Sequence, residues 1–279
     1  MQKKLLAIND ISCVGRCSLT VALPIISSVG VECSILPTAI LSTHTGGFTG
    51  FTFLDFTEEM KKVSNHWLSL DRKYDAIYTG FLGSSEQVEV VKDIVLKFKD
   101  NNIVIVDPAM ADNGELYKIF NSDFPQEMKK LCLVGDVIVP NITEACLMTN
   151  YEYMQNNHTD EYIDGLLSAL SNEGMKDIVL TGVSKQNGRI GAICYNHKTK
   201  EKHFYDQDII PGYYHGTGDV FASVLSSCIM KNKSLEESTK IAVEVTVASI
   251  KETLKYEGID VKYGVCFEEV LPLLIDKTK

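Results

Sequence analysis

The stretch AIYTGFLGSSEQVEVVKDIVLKFKDNNIVIVDP, residues 76–108, carries the pattern on which the fold turns. Ala76–Tyr78 and Ile103–Val106 are short apolar runs, and they end in Thr79-Gly80 and Asp107-Pro108. Between them, Glu86–Lys99 places Val90, Val91, Ile94, Val95 and Phe98 on one face of a helical period. A strand that is apolar on both faces has to be covered on both faces. The unit therefore points to a parallel sheet held between helices.

Outward from this unit the alternation continues. Leu5–Ile8, Cys33–Leu41, Val137–Val139, Ile178–Leu180 and Ala192–Tyr195 read as strands, and Thr57–Leu70 and Thr159–Ser171 as helices. Leu235–Leu254 reads as a further helix, with Ile241, Val245, Ala248 and Ile250 packing into the core. There is no repeat of 20–50 residues, low-complexity tract or Pro/Ser-rich linker. The expectation is one α/β domain over residues 1–279: a mostly parallel sheet with helices on both faces. A small strand flap is expected within Cys33–Phe56 or Ala192–Gln207.

Composition narrows the function. The 279 residues are 45% hydrophobic and 23% charged, an ordinary balance for a globular enzyme. A chain of this length buries roughly 75% of its unfolded surface, so its core needs no disulfide or metal. Lys plus Arg number 27 against 37 Asp plus Glu, a net charge of −10. That balance argues against nucleic acid or an anionic membrane as partner. After Lys3 and Lys4 the apolar run stops at Asn9-Asp10, too short for a secretory signal. The longest stretch free of charge, Cys33–Leu54, contains Pro37, His44 and three glycines and does not read as a membrane span. The eight cysteines form no CxxC pair and mostly sit in apolar runs, as reduced thiols of a cytoplasmic protein would.

Strand ends are where an open α/β sheet binds its ligands. Five strands here finish in small or polar residues: Asn9-Asp10, Thr79-Gly80, Asp107-Pro108, Pro140-Asn141 and Thr181-Gly182. Any strand ends in turn residues; the acids after two of them and the Asn after another favour a site. The sharpest local signal is His215-Gly216-Thr217-Gly218-Asp219, followed by apolar residues at helical spacing. Glycines at a helix N-terminus leave backbone N–H groups free to meet an anion. A carboxylate there would repel a phosphate, unless it acts as a base on a hydroxyl attacking that phosphate. The same residues also fit a plain turn before a helix. No Gly-Lys-Ser/Thr follows, so this is not a Walker A loop.

Gly216–Asp219 resembles the anion-hole signature of ribokinase-like ATP-dependent small-molecule kinases. Three further segments agree. Asp107-Pro108-Ala109-Met110-Ala111-Asp112-Asn113-Gly114-Glu115-Leu116-Tyr117 resembles the Asp-Pro-Val-Met-Gly-Asp-Asn-Gly-x-Leu-Tyr stretch of the vitamin B6 kinases. Asn141-Ile142-Thr143-Glu144 is similar to their magnesium-organising Asn-x-x-Glu motif, and Ser42-Thr43-His44-Thr45-Gly46 to the Ser-Asn-His-Thr-Gly substrate loop of pyridoxal kinases.

The resemblance implies transfer of the ATP γ-phosphoryl group to the hydroxymethyl group of pyridoxal, pyridoxamine or pyridoxine. Asp219 would be the base, and Gly216, Thr217 and Gly218 would cradle the phosphoryl group. Glu144 would hold Mg²⁺ through waters, with Asp107 beside it. Asp107, Asp112, Tyr117, Asn141, Thr181 and Gly182 would surround the nucleotide. Thr45 and Phe81 would face the pyridine, with Asp10 or Ser12 contacting the acceptor from the first strand. There the sequence departs from the family's animal-type Gln-Ser-His opening and reads Asn9-Asp10-Ile11-Ser12. The resemblance also implies a homodimer and leaves a monovalent cation open. Phe48, Phe51, Phe53 and Phe56 fit either a cover over an aromatic substrate or a subunit contact.

His44 reads as a loop residue held by the fold. His66, His158, His197 and His203 read as solvated. Three other functions compete. A hydroxymethylpyrimidine kinase shares the phosphate machinery, and a ligand-binding module without turnover would not need Asp219. A dinucleotide-dependent dehydrogenase would need a GxGxxG that does not follow the first strand.

Overall fold

The sheet expected from residues 76–108 is the spine of the molecule. A computed structural model describes residues 2–279. Five strands run parallel and adjacent: β1 (Lys4–Val14), β4 (Ala76–Thr79), β5 (Ile103–Val106), β8 (Val137–Ile138) and β9 (Asp177–Val183). β2 (Glu32–Thr43) pairs parallel on the far side of β1 and carries the short antiparallel β3 (Phe53–Asp55) at that edge. Beyond β9 lie antiparallel β10 (Arg189–Tyr195) and β11 (Lys202–Asp208), so the order is β11-β10-β9-β8-β5-β4-β1-β2-β3. A separate hairpin joins β6 (Ala111–Asp112) to β7 (Glu115–Leu116). Of the two candidate flap segments, Ala192–Gln207 is sheet edge. Residues 44–55, which leave β2 and return as β3, form the flap.

Helices cover both faces. On one lie α2 (Thr57–Ser69), α3 (Ser85–Phe98), α4 (Phe124–Cys132), α5 (Ile142–Thr149) and α6 (Asp160–Asn172). On the other lie α1 (Leu19–Ser28), α7 (Thr217–Met230), α8 (Leu235–Thr253) and α9 (Leu271–Lys277). The alternation of β1 divides between them: Leu6 and Ile8 join one apolar cluster, Leu5 and Ala7 the other. All four are fully buried, which is why this strand reads as apolar throughout.

The eight cysteines are free thiols, and six are buried. No described helix is long and apolar enough to cross a membrane. One histidine departs from expectation. His158 is buried rather than solvated: Asn156, Asn157, Thr159 and Asp160 stay exposed while its ring turns inward to partners of its own. Its Nδ1 accepts from Ser184 N–H at 2.9 Å, its Nε2 lies 2.8 Å from the Met154 carbonyl, and its ring stacks on Tyr162. His197, half-buried, is held by Asp177 at 2.7 Å.

Candidate active site

Because β1, β4, β5, β8 and β9 are parallel neighbours, their carboxyl ends share one edge of the sheet. The five polar strand ends therefore meet there. At β1 the register with β2 slips between Asn9, opposite Pro37, and Ile11, opposite Ile40, a bulge that leaves Asp10 out of the ladder. The Asn9 Oδ1 accepts from Asp10 N–H and from Phe81 N–H, both at 2.9 Å, tying β1 to the loop after β4. Its Nδ2 is buried with no hydrogen-bond partner among the described residues, as are Tyr78 OH and Thr79 Oγ1. Asp10 and Ser12 follow on β1, both buried. Ser12 donates to Asp10 Oδ2 at 3.0 Å and Ser18 to Oδ1 at 2.5 Å. Burial nevertheless raises the Asp10 pKa against these bonds.

Gly216 caps α7 in the left-handed region, φ 77°. A Cβ there would stand 2.1 Å from the Arg16 carbonyl oxygen, so the anion loop packs on the turn after β1 in a way only glycine permits. No side chain caps the helix. The first-turn N–H groups of α7 and the positive end of its dipole thus stay available to an anion. Asp219 sits in that first turn, half-buried. Desolvation drives its pKa up to about 7; Asp10 adds to the rise, while Ser18 N–H opposes it.

Asp107 follows β5 and feels both Glu144 and Asp219. Its pKa is well raised, by burial first and by those carboxylates next. Glu144 belongs to a capping box on α5: Asn141 Oδ1 accepts from Glu144 N–H, and Glu144 Oε2 accepts from Asn141 N–H, each at 2.9 Å. Its Oε1 accepts from Met110 N–H at 3.0 Å and from Ala111 N–H at 3.4 Å. Glu144 therefore clamps the β6–β7 hairpin to α5, and burial pushes its pKa up. On that hairpin, Asp112 accepts from the Tyr213 hydroxyl at 3.1 Å, and exposed Tyr117 stacks on Phe120. Phe81 packs on the same Phe120, with centroids 5.9 Å apart. Thr181 N–H donates to the Pro140 carbonyl at 2.9 Å, and Gly182, φ 74°, is the unpaired residue of a bulge against β10. Thr45 lies half-buried just beyond β2.

Asp107, Glu144 and Asp219 thus converge without a basic side chain to balance them, although no described group of three His, Cys, Asp or Glu has metal-site spacing. Such uncompensated charge fits a divalent cation that arrives with a polyphosphate and keeps its waters, and it does not fit an all-protein cage. Sequence reasoning missed Asn9, Ser18, Tyr78 and Tyr213. Of these only Asn9 left a signal, as the departure at the first strand end.

The sequence matches a family described as Phosphomethylpyrimidine kinase over residues 23–263. A Bacteroides thetaiotaomicron protein, provisionally described as a phosphomethylpyrimidine kinase and crystallised with pyridoxal, is 36% identical. It has a TM-score of 0.92, with 98% of this chain and 96% of that one covered. Pyridoxal kinase from Lactobacillus plantarum is 28% identical with a TM-score of 0.90, over 99% and 97% of the two chains. Pyridoxal kinase of Ovis aries is 26% identical over 81% of this chain and 76% of its own.

Proposed function

The chain belongs to the phosphomethylpyrimidine kinase family, of ribokinase-like fold; from that premise we propose that it phosphorylates a vitamin B6 vitamer on its 5′-hydroxymethyl group, with ATP as donor. Asp219 carries the reading. A carboxylate with a pKa near 7, beside unpaired helix N-terminal amides, is poised to take a proton next to a phosphoryl group. Similarity to the pyridoxal-bound Bacteroides protein and to two pyridoxal kinases supports the acceptor class.

Asp219 accepts the hydroxymethyl proton as that oxygen attacks the γ-phosphorus in line. The bond from phosphorus to the ADP oxygen breaks as the new one forms, and the proton stays on Asp219. Amides of Gly216, Thr217 and Gly218 stabilise the charge on the equatorial oxygens. Mg²⁺ entering with ATP would lower the charge on the phosphates, held through waters near Glu144 and Asp107. Asp112, Tyr117, Asn141, Thr181 and Gly182 line the nucleotide side. Thr45 and Phe81 face the acceptor, over a floor of Asp10 and Ser12. A cytoplasmic homodimer belongs to the same proposal, which leaves a monovalent cation open. Exposed Phe53 and Leu54 on the edge strand β3 support a subunit contact.

The family description supports a second reading, a hydroxymethylpyrimidine acceptor. The test is purified protein with Mg-ATP and pyridoxal, pyridoxine, pyridoxamine or hydroxymethylpyrimidine, scored by ADP release. Turnover on the B6 vitamers is expected; turnover on the pyrimidine alone overturns the proposal.

A further inference from the structure

His215, immediately before the anion loop, takes no part in the chemistry above. It joins a ladder of five rings drawn from three separate segments. Tyr263 meets Phe48 at a centroid distance of 5.1 Å, and Phe48 meets His44 at 4.9 Å. His44 meets His215 at 4.8 Å, and His215 meets Tyr213 edge-on at 4.8 Å. The ladder ends at the Tyr213 hydroxyl, which donates to Asp112 on the β6–β7 hairpin.

His44 is locked into it. Its Nδ1 accepts from Gly46 N–H at 3.2 Å, so Nε2 carries the proton and donates to the Lys262 carbonyl at 2.6 Å. His215 has no hydrogen bond among the described residues and is held by ring contacts alone. It covers the backbone of the loop 44–47 so closely that a Cβ on Gly46 would stand 2.5 Å from its Cε1. Gly46 is not in the left-handed region, so its backbone would accept alanine. The His215 ring is what forbids the side chain. Thr45 is therefore fastened between His44, locked from below, and Gly46, covered from above.

We propose that His215 is a positioning residue that clamps the acceptor loop, and with it Thr45, onto the anion loop through the His44–His215–Tyr213 stack. The clamp sets where the acceptor lies relative to the transferring phosphoryl group and leaves nucleotide affinity alone. Only its kinetic half rests on the kinase reading.

The test compares His215→Ala, His215→Phe, Gly46→Ala and the double variant His215→Ala/Gly46→Ala. Without ligands, amide exchange across residues 45–52 should be about tenfold faster in His215→Ala and in Gly46→Ala, and near wild type in His215→Phe, which keeps a ring. With substrates, KM for the acceptor should rise about tenfold in the same two variants, with KM for ATP changed less than about twofold. In the double variant Gly46→Ala should add nothing, because its obstacle is gone. Unchanged exchange in His215→Ala overturns the clamp. So does a His215→Phe protein as impaired as His215→Ala, since the ring nitrogens would then matter. Additive losses in the double variant overturn it as well. A wild-type protein that turns over no B6 vitamer defeats the function proposed above and leaves the exchange result standing.

Discussion

Replacing Asp219 with Asn should make the protein more stable and nearly inactive, with a stability gain that depends on pH. In the wild type this carboxyl keeps its proton up to about pH 7, whereas the unfolded chain releases it near 3.8. Between those values the folded state binds the extra proton, so wild-type stability falls as pH rises, by about 1.4 kcal/mol per pH unit for one group. Across the whole window that approaches about 4 kcal/mol. Partial exposure of the side chain to water lowers the figure to about 2 kcal/mol. The amide of the Asp219→Asn protein carries no charge to desolvate, and loss of the carboxylate also relieves Asp107 and Asp10, which feel Asp219. Urea melts of the two proteins at about pH 4, 5, 6, 7 and 8 isolate the effect, because titrations away from Asp219, Asp107 and Asp10 are shared. The stability difference should be near zero at about pH 4 and grow to about 2 kcal/mol in favour of the variant by about pH 8. In parallel, kcat should fall about 10²–10⁴-fold, the usual contribution of a general base, with ATP binding little altered. A stability difference that stays constant with pH would refute the desolvated carboxylate. Near-normal turnover would refute the base.

Two glycines of the anion loop should part company. Gly216→Ala drives a methyl into the Arg16 carbonyl at a positive φ and should lower both stability, by about 1–3 kcal/mol, and activity. Gly218 has nothing within 4 Å of a built Cβ, so Gly218→Ala should melt like wild type yet lose activity if the phosphoryl group is cradled there; a fully active Gly218→Ala enzyme would move the cradle elsewhere. Glu144→Ala leaves the N–H groups of Met110, Ala111 and Asn141 without their buried acceptor. It should cost about 3 kcal/mol in a denaturant melt, and an unchanged midpoint would show that the clamp on the hairpin is dispensable.

Where periodicity and burial agree, the elements are legible residue by residue. Ile103–Val106 is read from sequence and found in structure with the same ends. Leu19–Ser28 is not legible as a helix: it is apolar on most of its surface, contains Pro24 and has no polar face to set a period. The β6–β7 hairpin is too short to have a period at all. Lys202–Asp208 is polar because it is an edge strand with little to bury. Among site residues, the order of the four motifs places Asp107, Glu144 and Asp219 on strand ends or helix starts. Glu144 nevertheless turns out to spend both its oxygens on backbone amides, a duty no spacing reveals. His158 misleads for a similar reason, since its partners at Met154 and Ser184 satisfy a ring that its polar neighbours suggest is wet.

The sequence by itself determined the layering, the direction of the strands and the glycines of the anion loop. These follow from local rules: apolar period, chain connectivity and the steric freedom of a residue without Cβ. Tertiary structure alone decided the chemistry of the acids. Asp219 reaches a near-neutral pKa because packing strips its water and brings Asp10 toward it. His215 likewise gains a role only because the turn after β2 folds beneath its ring. Desolvation and contact depend on what comes near in space, which no run of residues along the chain contains.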